Sequence, residues 1–174
     1  MPTQLQSHLT PAFLPVPRQG TRVTHYAHGR RGVTAVEFLP NFEITVGDDA
    51  QLRVGRACFQ FTRPGFRFIV ESIVAELRFT HLDEAGQGDT MAYAVGTVAA
   101  SGAGTNLTGT AANVLGSATT TDLDGTLLER AAAVTPVLTD RLFLNVAANW
   151  SDVTDPTLRV GGKLTVSWLA IGPQ

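Results

Sequence analysis

Two aspartates in the middle of the chain have the spacing of a phosphoryl-transfer site. Residues 122–127 read DLDGTL, in which the first carboxylate would act as a nucleophile and the second as a general acid and base. That chemistry needs the loop at the carboxyl end of a buried parallel strand. The preceding residues, 116–121, read GSATTT and are too polar for such a strand. We therefore expect an Asp-Gly turn here and no phosphatase site.

Two histidines near the N-terminus, His25 and His28, have a spacing at which imidazoles converge on one metal ion when the backbone is helical. Residues 24–32 show no helical periodicity, and no third ligand accompanies the pair. No serine-nucleophile motif is present, and the glycines of residues 102–107 lack the helix start of a phosphate-binding loop. The sequence therefore predicts no metal, no cofactor and no enzymatic activity.

The single cysteine, Cys58, excludes an internal disulfide and any zinc site built from several thiolates. It lies within residues 57–61, which read ACFQF and are typical of a strand. We expect Cys58 to be a small buried hydrophobic residue without chemistry of its own.

The first of two predicted regions is an extended, basic N-terminal arm, residues 1–32. It has four prolines and neither helical nor alternating periodicity. Its four arginines are Arg18, Arg22, Arg30 and Arg31. Residues 1–36 carry no acidic side chain and hence a charge of +4, whereas the remaining residues carry −6. The arm is therefore expected to bind an acidic surface.

The second region, residues 33–174, is rich in β-branched and aromatic residues separated by turn residues. A chain of 174 residues supports one core. The predicted strands are 33–38, 42–46, 51–62, 66–80, 91–99, 142–147 and 158–170. Short strands in this number predict an all-β fold, an antiparallel β-sandwich of the jelly-roll type.

The last predicted strand has the clearest alternation in the chain. Leu164, Val166 and Trp168 point to one side, and the intervening residues are polar. We expect these three side chains to be buried. Gly161 and Gly162 interrupt the strand, which predicts a bulge or sharp bend.

The middle of the chain, residues 90–121, has no charged side chain. Two explanations remain open: these residues pack within the domain, or they face another copy of the chain. Residues 126–134 are compatible with a short helix that follows Asp124, and equally with a strand.

The C-terminal third resembles the end of the jelly-roll head decoration proteins of tailed bacteriophages. The resemblance rests on residues 140–147, which read DRLFLNVA, on a polar turn rich in Asp and Thr, and on residues 158–172, which read LRVGGKLTVSWLAIG. In that family a strand ending in Leu-Asn-Val is followed by such a turn and by a closing strand that ends on an aromatic residue and a glycine.

The resemblance implies a virion structural protein that decorates and stabilises the capsid from outside and is made in the host cytoplasm. Its partners would be the major capsid protein and itself, as a homo-oligomer and most commonly a trimer, with neither nucleic acid nor a membrane involved. Arg18, Arg22, Arg30 and Arg31 would contact the acidic capsid surface. No stretch approaches the roughly 20 apolar residues of a membrane helix.

An alternative is a carbohydrate-binding β-sandwich module of a phage fibre or lectin. Trp150 follows Asn149 in the predicted turn, where its ring would stack on a sugar or contact another partner. Cutting away the arm would leave that function intact, whereas it would weaken capsid binding.

Overall fold

The structure, a computed structural model, describes residues 15–45, 53–61, 67–82, 90–149 and 157–172. These residues form eleven β-strands and one short 3-10 turn, Gly109–Ala111. The strands are β1 (Pro15–Pro17), β2 (Thr21–His28), β3 (Arg31–Phe38), β4 (Glu43–Thr45), β5 (Arg53–Phe61), β6 (Arg67–His81), β7 (Thr90–Gly96), β8 (Leu115–Thr120), β9 (Asp124–Thr139), β10 (Arg141–Asn149) and β11 (Thr157–Ile171).

The strands form two antiparallel sheets packed face to face. Sheet A has the order β1-β5-β10-β7-β8, and sheet B has the order β2-β3-β11-β6-β9, with β4 also paired to β11. The pairs β3–β11, β5–β10, β6–β9 and β7–β8 nest one inside another along the chain. A long hairpin wound in this way across two sheets is a jelly roll, so the predicted fold class is confirmed.

Alternating side chains explain how the long strands build the core between the sheets. In β6, Ile73, Ala75, Leu77 and Phe79 point inward and are almost fully buried. Along β11, Leu164, Val166 and Trp168 are completely buried, as predicted. Period-2 burial of this kind arises because successive side chains of a strand point to opposite faces.

The sandwich starts earlier in the chain than the sequence indicated. The sequence places the first strand at residue 33, but β1 joins sheet A and β2 pairs with β3 along its whole length. Residues 15–32, which the prediction assigned to the arm, are therefore part of the sheets. Turn residues such as Gly20 and Gly29, both at positive φ, separate these strands. Each strand is therefore short, and the alternation of apolar and polar residues is difficult to recognise in its sequence.

The C-terminal half contains two strands that the prediction missed or left open. β8 was not predicted, and β9 decides the alternative for residues 126–134 in favour of a strand. Gly162 is at φ +92°, yet β11 keeps its pairing with β6 there, and the register shift falls between Ser167 and Trp168. No bulge occurs at Gly161 and Gly162, so that prediction is wrong; the irregularity between Ser167 and Trp168 arises from the extra residue Glu71 in β6.

The uncharged middle of the chain covers the outer side of sheet A. Leu107 of the connection between β7 and β8 is buried together with Ala94 of β7 and Ala147 of β10. Asn145 fixes this connection: its Oδ1 accepts a hydrogen bond from the Ala100 N–H at 2.8 Å, and its Nδ2 donates to the carbonyls of Val98 and Ala111 at 3.0 and 2.7 Å. The connection of residues 97–113 thus packs against sheet A through Leu107 and the Asn145 hydrogen bonds, while about half of its residues remain exposed.

Candidate binding surface

The outward side of sheet B, called the outer face below, is exposed and partly apolar. Among the described residues, eight large hydrophobic side chains are exposed, and six of them lie on this face. They are Tyr26, Val33, Val74, Leu127, Leu138 and Ile171. Soluble monomers rarely gather such side chains on one surface without an interaction to explain them.

Strand pairing places the centre of this apolar group in two adjacent rows. Tyr26 is paired with Val33, which lies opposite Ser167 of β11. In the next row Thr165 of β11 lies opposite Val74. The side chains between Tyr26 and Val74 are small, so the surface is flat, and the Tyr26 side chain, 77% exposed, stands out from it.

A row of charged residues borders the apolar rows on one side. Arg22, Glu37, Lys163 and Glu76 are neighbours on four successive strands. Arg22 pairs with Glu37, and Lys163 Nζ lies 2.9 Å from Glu76, whose hydrogen bond and charge raise the pKa of Lys163. Exposed pairs of this kind stabilise a fold little. Their main effect is to cancel the charges of these four residues.

A group of six charged residues, called the basic end below, borders the apolar rows on the other side. It contains Arg30, Arg31, Arg67, Arg141, Glu71 and Asp140, and it carries a net charge of +2. Arg31 lies 3.2 Å from Glu71, and Arg141 lies 3.0 Å from Asp140. The Arg141 hydrogen bond lowers the pKa of Asp140, which therefore stays ionised. Arg30 and Arg67 form no ion pair with a described residue.

The four arginines of the predicted arm do not act as one group. Arg30 and Arg31 lie at the tip of the β2–β3 hairpin, and Arg22 lies on the outer face in its pair with Glu37. Arg18 stands apart: it is half-buried in the turn between β1 and β2, where its backbone N–H donates to Thr21 Oγ1 and its guanidinium donates to Gln60. Arg18 therefore has a structural role in this turn.

Sequence reasoning missed most of the outer face, and one predicted contact falls outside the described residues. Trp150 lies outside them, so its predicted role in binding sugar or a partner stays a prediction. The role of Tyr26 was not predicted because the sequence of β2 did not indicate a strand. Its inward positions are occupied by Val23, His25 and Ala27, which do not form an apolar alternation. Arg67 was found only through the pairing of β6 with β11.

The two histidines lie on opposite faces of sheet B, and the second aspartate of the DLDGTL motif lies in a turn. His25 and His28 are an odd number of residues apart on one strand, so their side chains point to opposite faces of sheet B. Burial lowers the pKa of His25, which favours its neutral form. Within the described residues, no three His, Cys, Asp or Glu side chains gather where they could hold a metal ion.

Asp124 opens β9 as an exposed turn residue. Its Oδ1 accepts hydrogen bonds from the Thr126 hydroxyl at 2.7 Å and from the Thr126 N–H at 3.0 Å, and these lower the pKa of Asp124. Gly125 follows at φ +93°. The arrangement is an Asx turn, the structure that an Asp-Gly pair favours.

In comparisons with known proteins, no family model matches the chain, and no curated protein matches it significantly. Among the described residues, no helix is long and apolar enough to cross a membrane.

Proposed function

We propose that this chain is a virion structural protein that decorates the capsid from outside by binding the lattice of the major capsid protein. The observation that supports this most directly is the outer face, a flat surface with exposed apolar side chains at its centre. Small molecules are bound in concave pockets, whereas proteins meet across broad surfaces with an apolar centre and a polar border. The jelly-roll topology agrees with the resemblance of the C-terminal strands to head decoration proteins.

The charge distribution of the outer face favours an acidic partner. The four charged residues named on one border cancel in two ion pairs, and the basic end carries +2 with Arg30 and Arg67 outside any ion pair among the described residues. A positive border speeds encounter with an acidic surface and fixes the orientation of binding. Apolar contacts at Tyr26 and Val33 then supply affinity by removing side chains from water.

The proposed mechanism is mechanical. A rigid two-sheet body placed across neighbouring capsid subunits resists their separation, because every contact that holds it must break before the subunits part. Several weak contacts on one lattice reinforce each other through effective concentration. The affinity of a single site can therefore remain modest while the decorated shell becomes more stable.

The test is co-sedimentation with undecorated capsids assembled from the major capsid protein of the same virus. We expect Tyr26→Arg to reduce binding at least tenfold, because it places a charge at the centre of the apolar contact. Val98→Arg is the matched control, since Val98 is also an exposed hydrophobic residue, 50% accessible, but lies in the connection that covers sheet A. Equal loss in both variants, or no binding by the unmodified chain, would count against this function.

A second set of variants separates the basic end from the rest of the surface. Arg30→Gln combined with Arg67→Gln should weaken capsid binding. Raised salt should also weaken capsid binding by the unmodified chain, since exposed charges are screened over about 10 Å at 0.1 M. Arg159→Gln is the control: it also removes a positive charge from sheet B, but Arg159 is already paired with Glu43 at 3.0 Å and is distant from the hairpin tip.

One observation also favours the carbohydrate-binding alternative. Tyr26 presents an exposed aromatic ring on a flat surface, the arrangement on which sugar rings stack. The fibre or lectin function would replace capsid decoration if the unmodified chain bound glycans on an array and did not bind capsids. Tyr26→Ser should then abolish the glycan binding.

A further inference from the structure

The free edge of sheet A at β8 differs from the other sheet edges. Among the described residues, the sheets end at β1, β2, β8 and β9, and the short strand β4, which carries Glu43, also has a free side because it pairs only with β11. Prolines interrupt β1, Arg22 and two histidines lie in β2, and β9 carries Glu129, Arg130 and Pro136. Charges and prolines are the usual means by which an exposed edge is kept from pairing with another chain.

β8 has none of these safeguards. Its sequence is LGSATT, without charge or proline, and among the described residues it pairs with β7 alone. Gly116, Ser117 and Thr119 are exposed, and a Cβ atom built on Gly116 would contact nothing within 4 Å. Leu115 and Ala118 point towards the core. An outward row of backbone donors and acceptors is therefore open to a further strand.

The segment before β1 has the composition to be that strand. Residues 3–10 read TQLQSHLT, with no proline and no acidic or basic side chain apart from a histidine. Leu5, Ser7 and Leu9 alternate with polar residues, so one side of an added strand would extend the apolar side that β8 turns to the core. Apart from the histidine, neither the segment nor β8 has an ionisable side chain, so their pairing does not require a Lys, Arg, Asp or Glu side chain to be desolvated.

The position of the segment indicates which copy it would reach. The chain enters sheet A at β1, the edge opposite β8. Four strand spacings of about 4.8 Å separate these edges, roughly 19 Å, whereas the four residues between the proposed strand and β1 reach only about 13 Å when extended. The direct route to the chain's own β8 is occupied by residues 97–113, which cover the outer side of sheet A.

We propose that residues 3–10 of one copy pair with β8 of a neighbouring copy and continue its sheet A. Donor and acceptor edges lie on opposite sides of the molecule, so the contact is head-to-tail. Such contacts close into a ring when the rotation between copies permits it. The inference concerns self-association and does not depend on capsid binding.

The first test is a crosslink between two differently tagged chains, one with Gln6→Cys and one with Ser117→Cys. Gln6 lies on the opposite side of the added strand from Leu5 and Leu9 and would therefore share the exposed side of β8 with Ser117. The native Cys58 is buried and does not compete for oxidation. Mild oxidation of the mixture should give a product that contains both tags. Gln6→Cys mixed with Thr135→Cys, an exposed position on the edge strand β9, is the control and should give none. A third variant carries both cysteines in one chain. If a crosslink formed only within that chain, and the mixture of singly substituted chains gave none, the proposal would be overturned.

The second test is light scattering of the protein alone. The unmodified chain should form an oligomer, and deletion of residues 1–14 should reduce its mass to the 18.5 kDa class of a single chain. Ser117→Lys with Thr119→Lys should have the same effect, and Thr135→Lys should leave the oligomer intact. A monomeric unmodified chain at 100 µM, on the order of the concentration at which weak contacts are populated, would refute the proposal. An oligomer that survives the deletion would also refute it.

Discussion

Trp168 of β11 lies directly opposite Gly32 of β3, and a Cβ atom built on Gly32 would stand 2.4 Å from Cζ2 of the indole ring. The indole therefore fills the space that a side chain at position 32 would occupy. Its Nε1 donates a hydrogen bond to Thr34 Oγ1 at 2.8 Å, and both residues are completely buried. This contact joins the first and last strands of the nested hairpin.

The Gly32→Ala substitution should destabilise the protein by about 1–3 kcal/mol, the usual range for overpacking a well-filled core. Urea denaturation measures the change. Gly116→Ala is the control and should be nearly neutral, because a Cβ atom at Gly116 meets nothing within 4 Å.

A double substitution distinguishes the steric clash between position 32 and the Trp168 ring from the general cost of replacing a glycine. Trp168→Phe shortens the ring that meets position 32, so its combination with Gly32→Ala should cost less than the two single changes together. If the double substitution destabilises the protein by the sum of the two single changes, position 32 and the Trp168 ring are not in steric contact.

The alternation of β11 was visible in the sequence because Leu164, Val166 and Trp168 are large and their neighbours are polar. β8 was not visible: Leu115 and Ala118 are its only apolar residues that point inward, and the rest of the strand consists of glycine, serine and threonine. Short edge strands bury one side weakly, so composition alone cannot separate them from loops.

The Asn145→Ala substitution should destabilise the protein by about 2–4 kcal/mol, because it leaves the Ala100 N–H and two carbonyls of the covering connection without their partner. Hydrogen exchange should accelerate at Ala100 before the strands of sheet B are affected. Asn113→Ala is the control: Asn113 bonds Thr97 in the same connection but is only partly buried. Equal effects of the two substitutions would show that Asn145 does not anchor the connection.

The Cys58 thiol should make stability fall at high pH. Burial raises its pKa in the folded protein from 9.0 to about 12. Between these values the unfolded chain loses the proton while the folded protein keeps it, so rising pH favours unfolding. The stabilisation is fully present below pH 9 and is lost as pH rises towards 12, with about 1.4 kcal/mol lost near pH 10.

Cys58→Ala provides the comparison that isolates this effect from other groups that titrate in the same range. The difference in unfolding free energy between the two proteins should change between pH 8 and 10. In addition, native Cys58 should not react with a thiol reagent until denaturant is added. Rapid labelling of the native protein would contradict the burial of this residue.

The outer face was harder to predict than the fold because it depends on strand order. Arg30 and Arg67 are far apart in sequence, and they share the basic end because both β3 and β6 pair with β11. The charge of residues 1–36 indicated a basic binding region, but it did not reveal that Arg22 is paired with Glu37 or that Arg18 is bound into a turn. Pairwise contacts between distant strands carry this information, and residue types alone do not.

Two N-terminal truncations distinguish an arm from part of the body. Deletion of residues 1–14 removes none of the described strands. Deletion of residues 1–32 also removes β1, β2 and the first two residues of β3, with Val23 and Ala27 packed against the core and Thr21 hydrogen-bonded to the Cys58 carbonyl. The longer deletion should therefore be less stable by at least about 3 kcal/mol, the combined contribution of this apolar burial and hydrogen bonding.

Urea denaturation of the two truncated proteins against each other is the measurement, because both lack residues 1–14 and any contact that those residues make with another copy. The longer deletion should also exchange the amide protons of β3 faster, since it turns β3 into a free edge. If both forms unfold at the same urea concentration, β2 contributes nothing to the fold, and residues 15–32 would belong to an arm, as the sequence indicated.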